Sequence, residues 1–233
     1  MIGDLSVLAI IPARGGSKGV PRKNIRDVAG RPLLGWTVAA AKASRYIDRL
    51  ILSSDDDDII AAARGEQCEV PFKRPGELAR DETPGIDPVL HALEQLPGHD
   101  IVVLLQPTSP LRTAADIDGC LERMLATQAP ACVSVRTADD HPYWIYSIDA
   151  SGRMKAFAAP EEGAANRRQD LPAAWVLNGA VYAARTAWLA GTRSFLTGET
   201  VGFVMPAQRS LDIDTELDLE NASRILKDGA IAQ

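Results

Sequence analysis

Short, dense apolar runs alternate with helical spacing through the first 136 residues of the chain. Val7 to Ile11 reads VLAII, a continuous β-branched run that predicts a strand buried on both faces. Pro32 opens PLLGWTVAAAKAS, where Leu33, Trp36, Thr37, Ala40 and Ala41 share one helical face. RLILSSD (49–55) predicts a second buried strand, and DDIIAAARGEQ (57–67) a helix with acids at its positive end. VPFKRP (70–75) reads as a short strand or extended segment. PGIDPVLHALEQL (84–96) places Ile86, Val89, Leu90 and Leu93 at helical spacing, and DIVVLLQPT (100–108) carries the strongest strand pattern. Thr113 caps AADIDGCLERMLATQ, with an apolar stripe at Ile117, Cys120, Leu121, Met124 and Leu125. CVSVR (132–136) is a further strand.

Strands alternating with helices of this length imply βαβ units and a mainly parallel sheet. The alternation breaks after residue 136. HPYWIYSIDASGRMKAFA (141–158) predicts two strands joined at Ser151-Gly152, followed by the polar stretch EEGAANRRQD (161–170). WVLNGAVYAA (175–184) and TVGFVMP (200–206) return to strand pattern, and Thr215 with Asp218 resembles a capping box before the last helix. The expectation is one α/β domain over residues 1–233, with an excursion at about 137–175 that leaves the body and touches another subunit.

Composition narrows the partners. The 233 residues are 46% apolar and 24% charged with a net charge of -6, which argues against nucleic acid or an anionic membrane. Cys68, Cys120 and Cys132 form no CxxC pair, as expected of reduced thiols in the cytoplasm. VLAII is too short for a signal segment or a membrane span.

Against that acidic background, PARGGSKGVPRKN (12–24) gathers Arg14, Lys18, Arg22 and Lys23 around Gly15, Gly16 and Gly19. It is neither a Walker A loop nor GxGxxG, yet it follows a strand end, where α/β sheets bind ligands. Such a loop suits phosphates. In SLDIDTELDLE (210–220), an extended backbone turns Asp212 and Asp214 one way and Ile213 to the core. Paired carboxylates suit Mg²⁺ when a polyphosphate supplies further oxygens; the alternative is helix capping with Asp212 merely solvated. LLQPTSPLR (104–112) offers Gln106, Thr108, Ser109 and Arg112 at a strand end, or a proline-stiffened turn into the next helix. Together the three stretches point to nucleoside triphosphate chemistry, driven by positioning and charge neutralisation. Asp56 to Asp58 read as helix capping, with Asp55 as a lesser site candidate, and His141 as a substrate contact or a structural hydrogen bond. No Ser-His-Asp or HExxH arrangement supports a hydrolase.

IIPARGGSKGVPRKN, RPGELARD, LLQPTSPLR, RQDLP, NGAVY and SLDIDTELDLE, in this order, resemble the acylneuraminate cytidylyltransferases over about residues 7–226. The 3-deoxy-manno-octulosonate cytidylyltransferases resemble the chain less, because their first loop lacks the GGSKG segment. The resemblance implies a three-layer, Rossmann-like nucleotidyltransferase fold and a homodimer. It implies transfer of CMP from CTP to a nonulosonic acid with Mg²⁺, giving pyrophosphate. By motif, Arg14, Ser17 and Lys23 would hold the triphosphate, with Asn24 and Arg74 on the nucleotide. Gln106 and Thr108 would face the sugar and the reacting centre, and Asp212 and Asp214 the metal. Arg168 would reach the sugar carboxylate across the dimer, and Tyr182 and Phe195 would line the sugar pocket. Arg14, Lys23, Gln106 and Asp214 would carry catalysis. Trp144 stands where some members have lysine, Val176 where some have arginine, and Pro84 where some have serine. That more apolar pocket turns the expectation toward a legionaminate or pseudaminate branch. Alternatives are another sugar nucleotidylyltransferase or a non-catalytic nucleotide-binding protein on this scaffold.

Overall fold

A computed structural model of the chain describes residues 2–16, 19–158 and 171–229. In chain order it forms β1 (Val7–Pro12), β2 (Asp27–Val28), β3 (Arg31–Pro32), α1 (Leu33–Ala43), β4 (Arg49–Ser53), α2 (Asp57–Gly65), α3 (Asp87–Gln95) and β5 (Ile101–Leu104). Then follow α4 (Ala114–Ala126), β6 (Ala131–Thr137), β7 (Tyr146–Ile148), β8 (Met154–Ala156), β9 (Trp175–Arg185), α5 (Thr186–Thr192), β10 (Thr200–Val204) and α6 (Glu216–Lys227).

A six-stranded sheet of order β10-β6-β9-β5-β1-β4 forms the centre. β1 runs parallel to β4 and β5, and β10 parallel to β6, while β9 enters antiparallel between β5 and β6. The period-two alternation divides the core. Val7, Ala9 and Ile11 of β1 pack with α1, α2 and α4 on one face; Leu8 and Ile10 pack with α3 on the other. Helices thus cover both faces in three layers, as the continuous apolar runs require.

Some expectations shift in the structure. Residues 70–75 form no strand; the Ile51–Glu69 bridge, the Arg49–Glu69 pair and the Arg74 amide donating to the Ser54 carbonyl hold this stretch along β4. α3 starts three residues later than the periodicity suggested, with Pro88 in its first turn. The β2–β3 turn and α5 lacked a legible period. The turn rests on Ala29 (φ 54°) and Gly30 (φ 84°), both left-handed. Past residue 137 the chain leaves the body in the separate antiparallel pair β7–β8, and β9 returns at Trp175 beside Thr137. His141 here is structural: Nδ1 accepts from the Tyr143 amide, and Nε2 lies 3.1 Å from the Pro172 carbonyl.

Candidate active site

The loop after β1 and the segment before α6 meet. Lys23 reaches from the loop to the Ile213 carbonyl, and its Nζ lies 3.2 Å from Asp214 Oδ1. Gly19 lies against the Asp214 carbonyl so closely that a β-carbon would collide with it. Gly15 likewise leaves no room, since a β-carbon there would lie 2.7 Å from Asp56 Oδ2. These two glycines allow close packing of the loop on its neighbours.

The described cations of the stretch divide by direction. Arg14 turns inward, pairing with Asp81 at 2.8 Å and donating to the Arg80 carbonyl at 3.1 Å. Lys23 also turns inward, whereas Arg22 turns away to Asp58 at 2.5 Å. Lys18 and Ser17 lie outside the described residues. Asn24 is buried and donates to the Arg14 carbonyl at 3.2 Å, fixing the loop from within.

Asp55 is a strut beneath the loop. One of its oxygens accepts from the Gly15 amide at 3.2 Å and from Arg74 Nη2 at 3.3 Å. Asp56 caps α2 by accepting from the Asp58 and Ile59 amides. Arg74 is 4% exposed, and burial lowers its pKa against the raising effect of Asp55. Its Nε has no hydrogen-bond partner among the described residues. Arg14, Lys23, Asn24, Arg74, Thr108 and Asp214 line one cavity of about 540 Å³, with Arg80 also on its wall. That is the size of a small-ligand site. Sequence reasoning missed Arg80, although the quoted RPGELARD contains it.

Gln106 lines this cavity and also a second one of about 440 Å³, shared with Arg136, Tyr182 and Asp212. The second cavity exists because β6 and β9 lose register between Val133 and Val135. The chain bulges at Asn178, which is locked on all sides. Its Oδ1 accepts from Ser134 Oγ at 2.6 Å, and its Nδ2 donates to Ser210 Oγ at 2.9 Å. Gly179 in the bulge has φ +74°, and a β-carbon there would lie 3.8 Å from both Asp212 Oδ2 and Gln106 Nε2. Bulges of this kind re-aim side chains beside sites.

Asp212 and Asp214 flank fully buried Ile213, whose amide donates to the Thr108 carbonyl at 2.9 Å. The expected alternation holds, but the two carboxylates line adjoining cavities, not one. Asp212's pKa is raised, chiefly by burial and further by Asp214; a hydrogen bond with Thr108 and the charge of Lys23 oppose this. Burial also raises the Tyr182 phenol, with Asp212 adding to it. Among the described residues no cluster of three or more His, Cys, Asp or Glu side chains forms a metal cage. Asp214 and Thr215 do meet the capping alternative halfway. Thr215 and Asp218 form the capping box of α6, while both Asp212 and Asp214 keep their carboxylates on the cavities.

Phe195 is 7% exposed and packs in the core with Leu189, its ring 5.6 Å from that of Tyr182, so it stands behind Tyr182 and not on the lining of these two cavities. Arg168 falls outside the described residues.

The cytidylyltransferase family model matches residues 8–173. The chain belongs to this family. It is therefore a nucleotidyltransferase, an enzyme built to transfer a cytidylyl group. The chain is 32% identical to the CMP-N,N'-diacetyllegionaminic acid synthase of Legionella pneumophila, over 96% of this chain and 97% of that protein. It is 33% identical to the pseudaminic acid cytidylyltransferase of Campylobacter jejuni, over 94% and 96%. A solved CMP:2-keto-3-deoxy-manno-octonic acid synthetase complexed with CTP shares the fold, with TM-score 0.72 and 17% identity over 96% of this chain and 99% of that one. No described helix is long and apolar enough to cross a membrane.

Proposed function

We propose that the chain joins CTP to a nonulosonic acid of the legionaminate or pseudaminate kind, releasing pyrophosphate. The observation that carries this reading is the contact of Lys23 with Asp214, which sets phosphate-binding cations against a carboxylate pair. The names of the two relatives supply the sugar class. In the larger cavity Arg14, Ser17 and Lys23 hold the triphosphate, and Asn24 and Arg74 contact the nucleoside. Gln106, on the wall of both cavities, and Thr108 orient the sugar acid toward the α-phosphate. Tyr182, backed by Phe195, forms the sugar wall.

The anomeric hydroxyl attacks the α-phosphate in line. Its O–P bond forms as the bond to the β-phosphate breaks, and the hydroxyl proton is released. Asp212 and Asp214 fit Mg²⁺, because two crowded carboxylates, one held above its normal pKa, gain from a cation whose remaining ligands come from phosphate. Bound there, the ion would neutralise charge on the triphosphate. Lys23 would then exchange Asp214 for phosphate oxygens, and Arg14 would do the same with Asp81.

The exposed apolar side chains of the excursion support a homodimer. Tyr146, Ile148, Met154, Trp175 and Leu177 are exposed on β7, β8 and the start of β9, and Phe157 is exposed just after β8. An apolar face of this kind marks an interface. Arg168 would then meet the sugar carboxylate from the partner. Three free, buried thiols and a CTP substrate suit the cytoplasm. Trp144, exposed at the excursion, is available to pack on the methyl and acylamido groups of these sugars. Turnover with CTP and a panel of N-acetylneuraminic, N,N'-diacetyllegionaminic and pseudaminic acids tests the reading. Preference for one of the last two is expected. A clear preference for N-acetylneuraminate would overturn the sugar assignment, and no pyrophosphate with any acid would favour a non-catalytic protein.

A further inference from the structure

Arg136 lies just past the register shift on β6, opposite Val176 of β9. Arg136 lines the second cavity with Gln106, Tyr182 and Asp212, where it is the cation among the described lining residues, and it also borders a neighbouring cavity with Asp139. Both of its hydrogen bonds leave from Nη1, to the Thr137 carbonyl at 3.1 Å and to Asp139 at 2.7 Å. The Nε–Nη2 edge makes no hydrogen bond to a described residue. That edge presents two parallel N–H groups, the fork that matches a carboxylate. Asp139 is an exposed partner three residues away, an ion pair that stabilises little and tethers without neutralising the cavity.

A nonulosonic acid carries its carboxylate on the same carbon as the anomeric hydroxyl. Gln106 stands on the wall of both cavities, so an anomeric hydroxyl beside it lets the attached carboxylate enter the cavity that holds Asp212. An anion entering beside another carboxylate costs free energy unless a cation offsets it. We propose that Arg136 holds the carboxylate of the sugar acid from within the same chain. This rests on the nonulosonic acid reading above. Arg136 is independent of Arg168, whose contribution would come from a partner. The register shift explains its placement, because the bulge at Asn178 opens the ladder and leaves the end of β6 over the cavity.

The test is steady-state kinetics of Arg136→Gln, Arg136→Lys and Asp139→Asn with CTP and the panel acid that the wild type turns over best. Arg136→Gln is expected to raise KM for the sugar acid roughly ten- to hundredfold, as loss of a charged hydrogen-bond pair does, with KM for CTP unchanged. Arg136→Lys should recover part of the loss, and Asp139→Asn should stay near wild type. A wild-type sugar KM in Arg136→Gln overturns the inference. So does an equal rise in both KM values, or an Asp139→Asn variant that copies Arg136→Gln, since each marks a brace for the 137–139 turn. Should Arg136→Gln lose CTP binding through misfolding, the sugar KM of Arg136→Lys decides: a selective rise supports the inference and an unchanged value overturns it. Wild type inactive on every acid would overturn the parent reading and this one with it; an active wild type with an unaffected Arg136→Gln overturns this one alone.

Discussion

Lys23 and Asp214 are 191 positions apart in the chain, yet their charges pair at 3.2 Å. Position, more than residue type, gives them a role. The loop's four cations were legible as a set, but not their division: Arg22 has left-handed backbone (φ 56°) and pairs with Asp58, away from the cavity. The glycines also read differently in space. Gly19→Ala would push the loop off the Asp214 carbonyl, an overpacking strain of about 1–3 kcal/mol. We expect a lower unfolding midpoint in urea and weaker CTP binding by calorimetry; unchanged values for both would refute the close contact. Asp212 adds a pH signature. Its folded pKa is raised, so its ionisation subtracts stability as pH rises through that value. Asp212→Asn should therefore raise thermal stability at neutral pH while lowering turnover. The gain should fade as pH falls below the ordinary aspartate range near ~3.9, where both forms are neutral. A stability loss at neutral pH would show that the carboxylate is instead held by favourable contacts.

Elements with a strong period were readable from the sequence, and those held by single long-range contacts were not. β1, β5 and α4 carry their own apolar pattern, so their burial followed from it. Residues 70–75 are held by long-range contacts such as the Arg74 amide to the Ser54 carbonyl, and the β2–β3 turn by left-handed backbone, neither of which a period announces. β9 was legible as a strand, but its antiparallel insertion and its bulge depend on Asn178, whose partners Ser134 and Ser210 are distant in sequence. This is why the second cavity and Arg136 escaped the sequence reading. The start of α4 gives a sharper test. Asp116 closes the capping box with Thr113 and also takes a bidentate Arg209, at 2.9 and 2.7 Å. Asp116→Ala removes the cap and strands a charge, costing about 3 kcal/mol. Denaturant unfolding should show that loss, and a change within about 0.5 kcal/mol would place the helix's stability in its packing.

At the scale of the molecule, two pieces of one chain divide the work. The three-layer body gathers the strand ends where the cavities lie, and the β7–β8 pair extends away from it with Ile148 70% and Phe157 72% exposed. Ile148→Glu with Phe157→Glu should convert a dimer to a monomer in sedimentation velocity, and the monomer should lose sugar turnover while keeping CTP binding. A dimer unaffected by both changes would move the interface elsewhere. We propose that the loop after β1 and the carboxylates before α6 form one nucleotide site completed by a divalent ion. Calorimetric CTP binding with and without Mg²⁺, in wild type and Asp214→Asn, tests it most directly. Mg²⁺ is expected to tighten CTP binding in the wild type, and Asp214→Asn to abolish this dependence while remaining folded. Equal Mg²⁺ dependence in both proteins would contradict it.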